Sequence, residues 1–262
     1  MLDAVTATAA ELTVEAVSLS FGGHRVLKEV SMDFRPGQVT GLIGPNGAGK
    51  TSLFNCLTGL YRPQQGRIAL GGQSLERMPP ARRARAGLSR SFQHVALCPE
   101  LDVLENVMFG RARLGRSGWA DAFLPLPGGR AERAEARAAA MDVLRRLDLA
   151  AFSDVTPAGL PPGTQRLVEI ARAIASRPRV LLLDEPAAGL NPAETRQLTA
   201  VLRGLVSPEL IIVVVEHDMD LIMQLCDRIH VLNFGQRIAS GTPAEIRADP
   251  EVIRVYLGDS DD

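Results

Sequence analysis

The sequence is poor in several features that would commit it to other roles. It has three cysteines in 262 residues, Cys56, Cys98 and Cys226, far apart and with no His or Cys beside them at ligand spacing. That pattern excludes a disulfide framework or a zinc module, and predicts reduced thiols packed as small hydrophobes in a cytosolic protein. Its longest apolar runs are short, such as LIIVVV at residues 210–215, well below the ~20 residues that cross a bilayer as a helix. The opening MLDAVTATAA has neither a positive n-region nor an apolar h-region. No secretory signal is expected there, and residues 1–11 are read as a flexible tail, like residues 259–262 at the other end. An excess of one charge is missing too: 29 basic against 30 acidic residues give a formal charge of −1. A general nucleic-acid binder is much more basic, so no nucleic-acid partner is expected. Lysine itself is scarce. Lys28 and Lys50 are the only two, and every other Lys/Arg position is arginine. Compositional bias explains the scarcity, but it makes a lysine inside a glycine loop stand out.

What is present suits a large α/β core: 46% of the residues are apolar, enough to bury one substantial domain. Strand-like patterns come first, in ELTVEAVSLSF, VLKEVSMDF and QVTGLIG, with Pro36 and Gly37 turning the chain before the third. A glycine loop leads into a helix at about residues 50–58, and GRIALGG reads as another strand. Residues 102–112 then read as helix. Residues 113–130 are a Gly- and Pro-bearing insert, and AERAEARAAAMDVLRRLDL is an alanine-rich amphipathic helix. Beyond it, apolar runs alternate with helices: RVLLLDE, a helix after Asn191, ELIIVVVEH, a helix after Asp218, then DRIHVLNFG and QRIASG. Such alternation predicts a parallel sheet covered on both faces. Asn191-Pro-Ala-Glu194 and Thr242-Pro-Ala-Glu245 both read as capping-box starts with Pro at the first helical position. The expected organisation is one α/β domain over residues 12–258, interrupted by a helical subdomain at about residues 93–177.

Chemistry concentrates in two places. Gly44-Pro45-Asn46-Gly47-Ala48-Gly49-Lys50-Thr51-Ser52 follows a predicted strand and opens a helix, which is the full GxxxxGK[ST] pattern in its proper context. Glycines at 44, 47 and 49 let successive N–H groups face one anion, and the helix adds its positive end. Lys50 then reaches the β- and γ-phosphates, and the Thr51 hydroxyl is placed to ligate Mg²⁺. The second place is VLLLDEP, a buried strand delivering Asp184 and Glu185 at its C-terminal end, where open parallel sheets bind ligands. Asp184 is expected to hold Mg²⁺ through water, and Glu185 to polarise an attacking water as general base. A DE pair after an apolar run is commonplace by itself; the glycine loop gives this one its meaning.

Together these motifs resemble the ATP-binding cassette family, over residues 12 to about 258. The resemblance implies a P-loop NTPase core with an antiparallel β subdomain and an inserted α-helical subdomain, and ATP with Mg²⁺ as cofactors. It also implies roles for further residues. Phe21, in LSFGG, stands where the family stacks an aromatic on adenine. Gln93, in SFQ, stands at the Q-loop glutamine, which contacts Mg²⁺ and senses the transported partner. Ala188 to Asn191 is similar to the D-loop. His217, in VVVEHDM, matches the switch histidine on the γ-phosphate. Leu160-Pro161-Pro162-Gly163-Thr164 stands where the family has its signature, usually LSGGQ-like, which completes the ATP site of a second cassette. Here proline replaces both the serine and the first glycine, so up to three donors are missing. Gly163 remains, and the helix can still start, because Pro is tolerated in a first turn. The expected consequence is a heterodimer with one working site and one site that binds ATP but turns it over poorly; a homodimer, and a signature for which the Gly163 N–H and the helix dipole suffice, stay open.

Within the family, the tail EHDMDLIMQLCDRIHVLNFGQRIASGTPAEIRADPEVIRVYLG and the insert with Trp119, Phe123 and Leu124 are similar to the longer ATPase subunit of branched-chain amino-acid uptake systems. That implies membrane permease subunits and a second ATP-binding subunit as partners, with a periplasmic or extracellular solute-binding protein acting indirectly. It places the chain in the cytoplasm, peripheral on the inner face of the cell membrane. Two other readings stay open at this level: a cytosolic ATP-binding cassette ATPase without a transport role, and a regulatory subunit that hydrolyses weakly because of LPPGT.

Overall fold

In the computed structural model, residues 11–91, 97–111 and 129–257 are described. They fall into two compact units, residues 1–83 with 206–262, and residues 84–205.

The first unit opens on an antiparallel sheet. β1 (Leu12–Phe21) pairs with β2 (His24–Phe34) on one side and β4 (Gln65–Leu70) on the other, and β4 carries the short β5 (Gln73–Ser74). Leu12, Val14, Val17 and Leu19 are buried along β1; the phase of that alternation shifts where Ala16 takes a positive φ of 48° and breaks the register with both neighbours. β3 (Val39–Ile43) is different: all five residues are buried, as expected of a strand covered on both faces. It runs parallel to β8 (Ile211–Val215), also wholly buried, and to β9 (Arg228–Asn233). β10 (Gln236–Gly241) returns antiparallel along β9. Two residues make that turn, Phe234 at φ 43° and Gly235 at φ 79°. Positive φ at both central positions matches the twist of a tight hairpin, and it leaves the Phe234 ring 77% exposed.

α1 (Lys50–Thr58) follows β3, and α2 (Pro80–Arg85) follows β5. The C-terminal end of α1 is closed by Gly59 in the left-handed region and by the buried guanidinium of Arg83. Arg83 donates to the carbonyls of Cys56 and Leu57, the latter at 2.8 Å, and to that of Met78 at 3.0 Å. A cation on the last carbonyls of a helix satisfies orphan acceptors and complements the dipole. Burial pushes the neighbouring Cys56 thiol up to about 11, against the opposing charge of Arg83, so this cysteine is an inert packing residue, as its sequence context predicts. α7 (Met219–Leu225) is capped by Asp218, which accepts from Leu221 N–H at 3.0 Å. α8 (Pro243–Ala248) starts in the Thr242/Glu245 capping box read from the sequence. α9 (Pro250–Leu257) follows, a helix that the sequence reading does not separate from the tail.

The second unit pairs β6 (Leu88–Arg90) in parallel with β7 (Val180–Asp184) and carries helices beside them. These are α3 (Val103–Arg111), α4 (Gly129–Arg146), α5 (Pro162–Ala175) and α6 (Pro192–Leu205). β7 is buried at every position. α5 packs on both α3 and α4, and its inner face is lined by Leu167, Val168, Ile170 and Ala171. Asn191 caps α6, its side chain accepting from Ala193 and Glu194 N–H at 2.9 and 3.0 Å. No helix among the described residues is long and apolar enough to cross a membrane.

Candidate nucleotide site

The glycine loop of the first unit is built as the sequence predicts. Gly44, Gly47 and Gly49 all take positive φ, at 150°, 79° and 103°, which lets the loop turn its amides inward. At Gly44 a Cβ would stand 2.1 Å from the Leu232 carbonyl oxygen of β9, so only glycine lets the loop lie against that strand. The hairpin behind the loop fixes it further. Gly235 N–H donates to the Ala48 carbonyl at 3.0 Å, and the Gly235 carbonyl accepts from Lys28 N–H of β2 at 2.8 Å. The Lys50 ammonium donates to the carbonyls of Gly44 at 2.6 Å and Pro45 at 3.0 Å, which holds it over the loop's mouth. Asn46, Gly47 and Thr51 are exposed, while Gly44 and Ala48 are buried. Three glycines at positive φ, one cation and one hydroxyl are thus gathered at the entry to α1, the kind of groups that an anion takes at a helix N-terminus.

The same unit holds Phe21 and His217. The Phe21 ring is 46% exposed and meets Tyr61 edge-on, centroids 5.0 Å apart at 72°. An exposed aromatic pair is a platform on which a flat base can stack. His217 lies just past the buried end of β8 with its side chain 67% exposed, while Glu216 beneath it is almost wholly buried. The Glu216 carboxylate accepts from the backbone N–H of His217 at 3.2 Å and sits 3.8 Å from Nδ1.

In the second unit, Asp184 ends β7 and Glu185 follows at φ 46°, a left-handed conformation uncommon for a residue with a side chain. The Asp184 carboxylate is paired with Arg90 of β6 at 2.6 Å, both side chains being nearly buried. Arg90 was not legible as a site residue, because nothing in RSFQ alone says that its strand lies beside VLLLD. At the signature position, Pro161 is the N-cap of α5 and makes no side-chain cap bond, and Pro162 is the first helical residue. The prolines therefore start the helix, as expected, instead of breaking it. Leu160 is buried, and its carbonyl accepts from the Gln165 side chain at 3.0 Å. Gly163 N–H donates to Glu194 of α6 at 3.2 Å, and Thr164 is half-buried in the first turn.

Gln93 and the insert residues Trp119, Phe123 and Leu124 lie outside the described residues, as do the tails 1–10 and 258–262. Two further residues escape a reading of motifs. One is Tyr61, whose partner Phe21 is forty residues earlier. The other is Tyr256 on α9, which shares a hydrogen bond with the Gly44 backbone; burial pushes its phenol up to about 12 against that bond. Both contacts are long-range and follow only from the folded chain. Among the described residues no group of three His, Cys, Asp or Glu side chains is gathered to hold a metal.

Residues 27–188 match the family model described as ABC transporter, and residues 236–262 match one described as branched-chain amino acid ATP-binding cassette transporter. The chain is 42% identical over 250 residues to the high-affinity branched-chain amino acid transport ATP-binding protein LivG of Escherichia coli (strain K12), covering 95% of this chain and 98% of LivG. It is 40% identical, with the same coverage, to BraF of Pseudomonas aeruginosa, which carries the same description. Its fold is similar to the ADP conformation of MJ1267, an ATP-binding cassette of an ABC transporter, with a TM-score of 0.83, 29% identity, and 96% and 100% of the two chains covered. A glycine loop, a strand-end carboxylate pair and relatives matched over almost their whole length leave one conclusion: the chain belongs to the ABC transporter family, as one of its ATP-hydrolysing cassettes.

Proposed function

We propose that this cassette energises a separate membrane permease that imports branched-chain amino acids or related small polar solutes. The observation that carries the reading is the continuity of the resemblance to LivG and BraF into residues 236–262, the stretch matched by the branched-chain model. In this reading the Gly44–Thr51 loop and Lys50 hold the triphosphate, Phe21 meets the adenine, and Glu185 takes a proton from the attacking water with His217 beside the γ-phosphate. The donor set fits a hard cation, since Thr51 offers a hydroxyl and Asp184 a carboxylate. Thr51 and Asp184, with Gln93, are the residues that would hold Mg²⁺, partly through water, and the ion would supply neutralisation of charge on the phosphates. Arg90, 2.6 Å from the buried Asp184 carboxylate, keeps it aimed until then. The helical subdomain at about residues 93–177, with Gln93 at its edge, faces the permease, and the chain sits on the inner side of the cell membrane. A solute-binding protein acts from the other side.

The test is reconstitution with a permease of the branched-chain type, in vesicles carrying ATP inside. Leucine, isoleucine or valine uptake that depends on ATP and on this chain supports the reading. Copurification with nucleic acid or ribosomes, and no permease-stimulated phosphate release, would replace it with a non-transport role.

One observation favours a refinement. The α5 N-terminus has two prolines where the family has a hydroxyl and two amide donors, so the cassette pair is a heterodimer of unequal sites. This chain's glycine loop, completed by a partner's intact signature, is the fast site. The partner's loop, completed by residues 160–164 here, binds ATP and hydrolyses it slowly.

A further inference from the structure

Glu194 joins two helix N-termini. Its Oε2 accepts from Asn191 N–H at 3.0 Å, closing the capping box that starts α6. Its Oε1 accepts from Gly163 N–H at 3.2 Å, in the first turn of α5. The first bond is what a capping glutamate does for its own helix; the second serves a different helix and is not explained by capping. The approach is close, since a Cβ on Gly163 would stand 2.6 Å from Oε1. The end it approaches is short of donors. Pro161 and Pro162 have no N–H, so Gly163 is the first residue of α5 that can offer one. That N–H is taken by a carboxylate of the chain itself, held by the positive ends of two helices at once.

We infer that Glu194 is a built-in anion at the phosphate-receiving end of α5, and that it raises the ATP concentration at which a second cassette's nucleotide is accepted there. The inference rests on reading residues 160–164 as the signature. One N–H directed at the carboxylate is not free for a γ-phosphate oxygen, and two anions at hydrogen-bonding range of the same amide repel each other. An arriving phosphate must therefore displace Glu194 Oε1. The prolines remove donors; the glutamate occupies the first that remains, ahead of Thr164. Because Asn191 closes the D-loop segment Ala188–Asn191, a displaced Glu194 also loosens the cap of α6, so that occupancy of the signature is felt in that loop.

The test uses the assembled transporter with both cassettes and an azido-ATP photolabel, kept cold so that binding is read without turnover. The measured quantity is the concentration that half-labels the second cassette. Glu194→Gln keeps the shape and an acceptor but removes the charge, and should lower that concentration roughly tenfold, with a thermal midpoint within a few degrees of the wild type. Glu194→Ala frees the amide entirely and should lower it at least as much, at some loss of thermal stability from the missing cap. An unchanged or higher half-labelling concentration in Glu194→Gln overturns the inference. A Pro161→Ser/Pro162→Gly variant separates the two levels. If it shifts the labelling while Glu194→Gln does not, the signature reading stands and Glu194 is only a helix cap. If neither shifts it, residues 160–164 do not reach the second cassette's ATP and both readings fall.

Discussion

Two helices of this chain, α1 and α5, begin at the glycine loop and at the LPPGT stretch, and they begin in opposite ways. α1 is entered through three glycines at positive φ, with Gly49 as its N-cap and a lysine as its first residue. α5 is entered through two prolines, with no side-chain cap and a glutamate on its first available amide. Both devices start a helix, and proline does so as well as glycine. They differ in what is left over for a ligand. Glycine adds freedom and keeps its N–H, so the α1 end accumulates donors around a cation. Proline fixes φ and deletes the N–H, so the α5 end is preorganised yet two backbone donors poorer. A helix dipole alone does not make an anion site; the amides and charges at its mouth do.

The comparison is broken most severely at the α1 end. Lys50→Ala removes the cation from the loop, and with it at least one charge-assisted bond to phosphate worth about 1.5–3 kcal/mol. ATP affinity measured by calorimetry should fall tenfold to a hundredfold or more, and phosphate release should stop. Unaltered affinity would mean that the α1 end is no better an anion site than α5.

Glu185→Gln probes chemistry apart from binding. The amide keeps the shape but cannot take a proton from water, so turnover should fall about 10²–10⁴-fold while ATP affinity stays within a few-fold. Equal losses in both would assign Glu185, at its left-handed φ, to holding the strand end instead of acting as base.

At the α5 end the change should be a gain. Pro161→Ser with Pro162→Gly restores a hydroxyl and two amides, and each bond to a charged phosphate is worth about 1.5–3 kcal/mol. Turnover at the second cassette's site should rise roughly ten- to a hundredfold. It is read as phosphate release in an assembled complex where Glu185→Gln silences this chain's own site. No rise would mean that the two helix ends are functionally alike despite their sequences.

What the sequence disclosed follows the same division. The α1 site is contiguous: nine residues carry its glycines, lysine and hydroxyl, and the predicted helix at residues 50–58 is the one observed. Apolar runs such as VLLLD and IIVVV are strands because they are buried on both faces, a condition that their composition already states. The missed features are those made by partners distant in the chain. Arg90 on Asp184, separated by ninety-four residues, is invisible to any local pattern. So is Glu194 on Gly163, although Glu194 was legible as a cap because its other bond is to a residue three places away. Local chemistry writes itself into short motifs, whereas the pairing that decides whether a helix end is free for a ligand does not.

The smallest effect expected is on stability, and it falls on the strand behind the glycine loop. His230, on β9, is wholly buried, pairs in register with Leu42 of β3, and shares a hydrogen bond between its Nε2 and the Asp33 carbonyl at 3.0 Å. Its ring also meets Phe34 edge-on. Burial pushes its pKa down to about 4, against the favourable bond to Asp33, so the folded chain keeps it neutral. An unfolded histidine takes its proton near pH 6.5. As pH falls, the unfolded chain therefore binds this proton first, and the stability that is fully present above about pH 6.5 is lost progressively down to about pH 4. The loss is on the order of 1–3 kcal/mol. No histidine lies in the described part of the second unit, so the α5 end has no equivalent. Hydrogen exchange should show β3 and β9 losing protection between pH 6.5 and 5 before α5 does, and His230→Leu should flatten that pH dependence while lowering stability at pH 7.5 through the lost bond to Asp33. Equal acid sensitivity in the wild type and His230→Leu would place the acid-labile group elsewhere, and the asymmetry between the two helix ends would then stop at their ligand chemistry.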